Sequence, residues 1–199
     1  MNTLARHHAT WAFNNAWANH RLLRAVGALS PDDFAARRTS FFPSLQSTLN
    51  HIVTVDWYYV DAMERGLAGQ PVNPEARGFF EPQEPFVRCH ELAVAQRAVD
   101  RRLVDLCVKL EDDRLETPIA ILRRTGVQHE PLTRLLSHLF QHQIHHRGQA
   151  HAMLAGTSVA PPPLDEFFCA NEAELRARDL AELGYSEATI WESSASVLP

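Results

Sequence analysis

The chain is short of cysteine. It has three, Cys89, Cys107 and Cys169, widely spaced and with no CxxC pair. An odd, scattered set excludes a disulfide framework and fits a reducing compartment. Clustered Lys and Arg are also missing: the net charge is −5 and the pI about 6.1. That argues against a nucleic-acid backbone as the main partner, because phosphate binding needs grouped cations. No run of about 18 apolar residues occurs, so no membrane-spanning helix is expected. The opening MNTLARHHATWAFNNAWANH lacks the apolar stretch and cleavage pattern of a secretory leader. A cytoplasmic protein is therefore expected. Internal repeats and low-complexity tracts are absent too. What remains is 199 residues, 45% of them hydrophobic, enough for one globular domain with a proper core.

Hydrophobic spacing predicts four long helices. In the first, over about 3–29, Leu4, His8, Trp11, Asn15, Ala18, Leu22, Val26 and Leu29 share a face. Ser30-Pro31 stops it. The second, over about 44–67, carries Leu45, Leu49, Ile52, Asp56, Tyr59, Val60 and Met63, with Ser44 as N-cap. The third, over about 86–110, has a stripe of Leu92, Val99, Leu103, Leu106 and Leu110. The stretch IAILRRTGVQHEP is a small hairpin or a loop, and the pattern does not separate the two. The fourth helix, over about 131–154, starts at a proline and stops before Gly156. APPPLDEFF reads as a rigid, extended exit. A fifth pattern, over about 171–183, is charged all round and reads as an appended surface helix. The tail after it is expected to fray. The economical architecture is all-α: an up-down four-helix bundle over 1–168 with a C-terminal extension over 169–199.

The fourth helix is unusual. SHLFQHQIHHRGQAHAML holds five of the eleven histidines within fourteen residues. On a helical wheel of about 100° per residue with His142 at zero, Leu135, Leu139, Ala150 and Met153 fall between about +20° and +80°. His146, at about +40°, lies inside that arc, and His142 lies at its edge with Gln149 close by. His138 and His145 are further out, His151 is opposite, and Arg147 points outward. One turn apart and both inward, His142 and His146 can reach one metal ion, as paired histidines do in zinc helices. Gln143 stands where a zinc-protease helix would carry its glutamate, so that chemistry is excluded. The spacing alone is weak evidence; the cluster and its inward placement are stronger, because buried imidazoles cost free energy unless partnered. Periodicity does not select a third ligand among His8, His20, His51 and His90.

FNNAWANHRLL, FFPSLQSTLNHIVTVDWYY, HLFQHQIHHRGQAHAML and PPPLDEFF, in this order and spacing, together resemble the DinB family. That family lies within a wider superfamily that includes bacterial thiol-dependent S-transferases. The resemblance covers about residues 3–168 and leaves the charged tail out. It implies a helical bundle, often dimeric, that holds one divalent metal through three histidines. By motif these are His51 of LNHI, and His142 and His146 of HxxxHRGQ. The family name refers to DNA damage-induced expression and does not imply DNA binding.

Three neutral imidazoles leave coordination positions open, as in a catalytic zinc site. Zinc or nickel would fit, and iron would also accept nitrogen ligands. The ion could activate water, for hydrolysis, or a low-molecular-weight thiol, for transfer to a small-molecule substrate. The alternative is a non-catalytic metal-binding module in stress response or in protein interaction. Because the ligands must be neutral, affinity is expected to fall as pH drops through about 6.5. Residues that could orient the ligands or line a pocket are Asn15, Asp56, His138 and Gln149. For Asp56 and Asn15, a plain hydrogen bond between helices is the simpler role. Phe140 and Ile144 face away from the apolar arc and point to a second apolar surface, hence a homodimer. No membrane and no nucleic acid are expected as partners.

Overall fold

The computed structural model describes residues 3–191. Four long helices carry the fold: α1 (Leu4–Val26), α3 (Leu45–Leu67), α4 (Cys89–Val108) and α5 (Leu132–Ala155), with a short α2 (Pro31–Ala35) between the first two. Local chemistry sets their starts. The Thr3 hydroxyl accepts from the Arg6 amide at 3.1 Å, and the Ser44 hydroxyl accepts from the Ser47 amide at 3.0 Å. Each cap satisfies a donor that has no partner inside its helix. Among the long helices, α1 packs on α4 and α5, and α3 packs on α4 and α5, so the four close into a ring. The predicted stripes of α3 and α4 are buried throughout. Burying each large apolar side chain contributes about 1.5–3 kcal/mol.

The undecided stretch is a hairpin. β1 (Pro118–Arg123) pairs antiparallel with β2 (Gly126–Pro131), Arg123 opposite Gly126. Gly126 has φ +119°, a conformation other residues rarely adopt, and it closes the turn. The alternation of β1 puts Ile119 and Ile121 into the core against α3, and the Tyr58 hydroxyl donates to the Leu122 carbonyl at 2.6 Å. Among the described residues, this hairpin is the one departure from an all-α chain.

The C-terminal segment is more than a surface helix. α6 (Ala173–Leu183) buries Arg176, Asp179, Leu180 and Leu183, and it docks on α1. Its charges are internalised as pairs: Asp179 meets Arg21 at 2.7 Å and Arg24 at 2.6 Å. Arg176 donates to Glu187 and to the carbonyls of Glu166 and Cys169. The charges read from sequence as a solvated face thus form the contact itself. The tail does not fray at once, since α7 (Glu187–Trp191) follows and buries Ile190. Residues 192–199 lie outside the described residues, so the expectation of fraying is not met within the described part.

α5 buries a wider arc than its leucines mark. Leu136, Phe140, Gln143 and Arg147 are all buried with the expected face. On the wheel they extend the arc from about +80° to about +160°. α5 is flanked by α1 on one side and α3 on the other, so two of its faces are covered. Phe140 is therefore not part of an outer apolar surface: it lies against His8 and Trp11, while Ile144 is exposed. Arg147, expected outward, is 5% exposed. It donates to Asn15 and, at 3.0 Å each, to Asn19 and Gln143. Asn15 and Asn19 in turn donate to Asp100, and Gln96 donates to both Asp100 and Asp56. Gln143 also donates to Asp56. One polar network thereby joins α1, α3, α4 and α5 at the centre of the ring.

Arg147 is the cation of this network, and its removal would leave the buried amide oxygens of Asn15, Asn19 and Gln143 without their donor. Arg147→Met is expected to lower stability by about 3–5 kcal/mol. Urea unfolding measures this, and a loss below about 1 kcal/mol would show that the guanidinium is not what holds the centre. Burial and the neighbouring Asp56 charge hold the Asp100 carboxyl well above the usual carboxylate range. Burial raises Asp56 likewise, against its hydrogen bonds from Gln96 and Gln143 and the Arg147 charge. Asp56 Oδ1 and Gln96 Oε1 both lack a donor, which also favours a retained proton. An acid with a raised folded pKa binds its proton more tightly when folded, so its stabilisation is lost as pH rises from the unfolded value near about 4. The stability of Asp100→Asn relative to wild type should therefore improve as pH rises from about 4.5 to about 8. Urea midpoints across that range check it, and a pH-independent difference would contradict it.

Candidate metal centre

Three histidines meet where α3 and α5 face each other. His51 comes from the middle of α3, and His142 and His146 from successive turns of α5. Each offers a ring nitrogen, and these atoms lie within 4.8 Å of one another. His51 Nε2 is 2.9 Å from His142 Nε2. The ring of His146 stands 4.4 Å from that of His142 and 4.6 Å from that of His51, centre to centre. Phe42 covers one side, 4.4 Å from His51 and 5.5 Å from His146.

Two Nε2 atoms at that distance can be reconciled in two ways. One ring donates to the other, or both offer lone pairs to a shared cation. In tetrahedral zinc sites, bonds of about 2.05 Å place neighbouring nitrogens roughly 3.3 Å apart, so a divalent ion fits after a shift of a few tenths of an ångström. The protonation states fit as well. Burial, with the His146 charge, pushes His51 down to about 4. Burial and the four surrounding histidines push His142 down to about 3. His146 is lowered by burial too, against its bond to Gln149. Burial thus favours the neutral rings that metal ligands must be, and it holds His51 and His142 in that form well below the value of about 6.5 for free imidazole.

The residues flanked by uncertainty in the sequence fall into two groups. Gln149 is at the site: its Oε1 accepts from His146 Nδ1 at 2.9 Å, and its Nε2 donates to His145 Nε2 at 3.1 Å. The first bond keeps the proton on Nδ1 and leaves Nε2 of His146 free to ligate. His138 is also near, its ring 6.2 Å from that of His142 and 5.1 Å from Tyr59. Asn15 and Asp56 belong instead to the central network and do not touch the histidines. His142 Nδ1 is buried without a partner. Its sequence neighbours do the opposite work: Gln143 and Arg147 each follow a ligand by one residue, and both turn into the core. Phe42 and the arginines of the hairpin escaped the sequence reading because neither lies on a periodic helix.

A roughly 510 Å³ cavity opens beside the site, lined in part by His51, His142, His138, Tyr59 and Arg123. None of the three cysteines lines it. A second grouping, His20, Asp179 and Glu182, also brings possible ligands together. Its carboxylates are already engaged by Arg21, Arg24 and Arg178, so it is an ion-paired clasp between α1 and α6.

If Gln149 holds the His146 tautomer, Gln149→Leu should weaken zinc affinity about 10- to 100-fold while the fold is kept. Competition with a chromogenic chelator measures this. Unchanged affinity would show that the Gln149 bond is incidental.

Three comparisons with known proteins found chains similar to this one. The family model described as "DinB family" matches residues 1–179. The protein named Protein DinB from Bacillus subtilis (strain 168) is 26% identical over 160 residues, covering 76% of this chain and 86% of its own. The crystal structure of a DinB-like protein from Bacillus cereus ATCC 10987 superposes with a TM-score of 0.54 at 19% identity, over 74% of this chain and 90% of the other. That likeness concerns the fold. The match of the family model over most of the chain settles the family: this chain belongs to the DinB family.

Proposed function

We propose that this DinB-family chain is a divalent-metal-dependent enzyme whose His51, His142 and His146 hold one ion and whose adjoining cavity admits a small molecule. The observation that carries the reading is the convergence of three imidazoles, two of which, His51 and His142, also line a cavity. A purely structural zinc site would use a fourth protein ligand and be closed; three ligands beside open space match a site that takes a reactant. Zinc or nickel fits the all-nitrogen donor set, with iron next. When bound, the ion would supply Lewis acidity to an incoming thiol or water, which gives S-transferase-like or hydrolase-like chemistry.

The chain's own residues supply the rest. Gln149 orients His146, and Phe42 screens one side of the site from water. No carboxylate lines the cavity. Asp56 is occupied in the core, so His138 is the histidine of the wall left over to take up a proton. Burial pushes the thiols of Cys89 and Cys107 up to about 11 and about 12, so neither is a ready thiolate. A thiol in this reaction would come from outside as a low-molecular-weight substrate.

The test is metal content by plasma mass spectrometry on tag-free protein, wild type beside His142→Ala. The expected result is about one ion per chain in wild type and little in the variant. No metal in either, even after incubation with zinc or nickel, would overturn the reading. A panel of thiols with electrophiles then separates the enzyme from a non-catalytic metal-binding module: turnover should disappear in His142→Ala.

A further inference from the structure

The cavity beside the histidines has a chemical character of its own. Its wall carries three guanidinium groups, Arg77, Arg123 and Arg124, and no Asp or Glu. None of the three makes an ion pair with a carboxylate among the described residues. Elsewhere arginines are commonly paired, as Arg21, Arg65, Arg102 and Arg176 are. Glu130 acts on Arg123 only over distance, and its own contact, at 3.0 Å, is with Arg134. In a chain of net charge −5, positive charge is here concentrated and, among the described residues, has no carboxylate paired with it.

The arrangement is also held in place. Arg123 donates to the Tyr59 hydroxyl at 2.7 Å and lies over the rings of Tyr58 and Tyr59, 5.9 and 5.5 Å from their centres. Arg77 donates to the Arg123 carbonyl at 3.3 Å, which ties the loop after α3 to the hairpin. A guanidinium fixed on aromatic faces keeps most of its fork of donors free and pays little entropy to engage a ligand. Around these charges the wall is apolar, with Val55, Phe80 and Leu122. A volume near 510 Å³ is within the range of small-molecule sites.

We propose that this cavity is an oxyanion-binding site: it takes a small organic molecule bearing a carboxylate or phosphate, holds that group on Arg77, Arg123 and Arg124, and presents the remainder to His51 and His142. The last part rests on the metal-site reading; the anion site itself does not.

The experiment is calorimetric titration of the full chain at low ionic strength, zinc-loaded and EDTA-treated, with zinc content determined on each sample. The probes are succinate, phenyl phosphate and the neutral succinamide. At least one anion should bind in both zinc states, succinamide should not, and the preferred anion tells carboxylate from phosphate. The doubly substituted Arg77→Gln/Arg124→Gln should bind about tenfold more weakly or worse, with zinc stoichiometry unchanged. Arg123→Gln should lose more and Arg123→Lys recover part of it. Because Arg123 also braces the hairpin, the double variant decides if Arg123→Gln fails to fold; Arg77 and Arg124 are exposed. Equal binding of succinamide, unchanged binding by the double variant, or no anion binding in either zinc state would overturn the proposal. Arginine-dependent anion binding in a wild type that holds no zinc would uphold the anion site and remove the metal reading alone.

Discussion

A guanidinium taken out of water at the centre of four helices sets the terms for everything around it. Left alone, a buried charge costs several kcal/mol, a large part of the 5–15 kcal/mol that typically keeps a domain folded. Arg147 is tolerated because Asn15, Asn19 and Gln143 present oxygens to it and because Asp100 and Asp56 stand one hydrogen bond further out. Those partners come from α1, α3, α4 and α5. The apolar stripes would allow the helices to slide or rotate against one another with modest loss. The network would not, since a shift of one turn strands a charge or an amide. Burial pulls Arg147 down to about 10, against the two carboxylates, so it stays charged at neutral pH.

This constraint reaches the histidines through the geometry of one helix. Gln143 and Arg147 are one residue after His142 and His146. Residues one apart on a helix point about 100° away from each other, so when one pair is locked into the core the other is aimed at α3. Asp56 extends the lock to the facing helix: it accepts from Gln143 and Gln96, and it is five residues past His51. The two helices that carry the three histidines are thus pinned to each other by a polar contact that begins one residue after His142. Ring nitrogens that lie within 4.8 Å of one another need that precision if they are to share an ion, because a displacement of about an ångström would break the set.

Much of this was legible before the structure. The four helices followed from spacing, with Ser44 as the cap of α3 and Gly156 after α5, because amphipathic helices announce themselves in their period. The wheel brought His142 and His146 to one inward edge. His51 was not accessible that way, since it sits half-exposed at the margin of the α3 stripe, and only its likeness to LNHI marked it. Arg147 was misread because a wheel centred on leucines treats polar residues as boundary markers, whereas here Gln143 and Arg147 are the middle of the buried arc. The same assumption failed for α6, whose Arg176 and Asp179 are buried as pairs. Pairing is a property of two segments far apart in sequence, and no local pattern encodes it.

The hairpin shows where such readings stop and why it matters for chemistry. IAILRRTGVQHEP carries a strand alternation too short to separate from a loop, yet Ile119 and Ile121 decide its face by burying against α3. Once that face is fixed, the pleat sends Arg123 toward Tyr59, about two turns along α3 from His51, and the turn carries Arg124 beside it. The tyrosines that receive Arg123 are themselves set by the α3 stripe. A core decision in two isoleucines therefore places two cations at the mouth of the histidine cavity. The helices supply three imidazoles and the hairpin supplies guanidinium groups beside two of them, so the element that least resembles the rest of the fold sets the charge of the cavity wall.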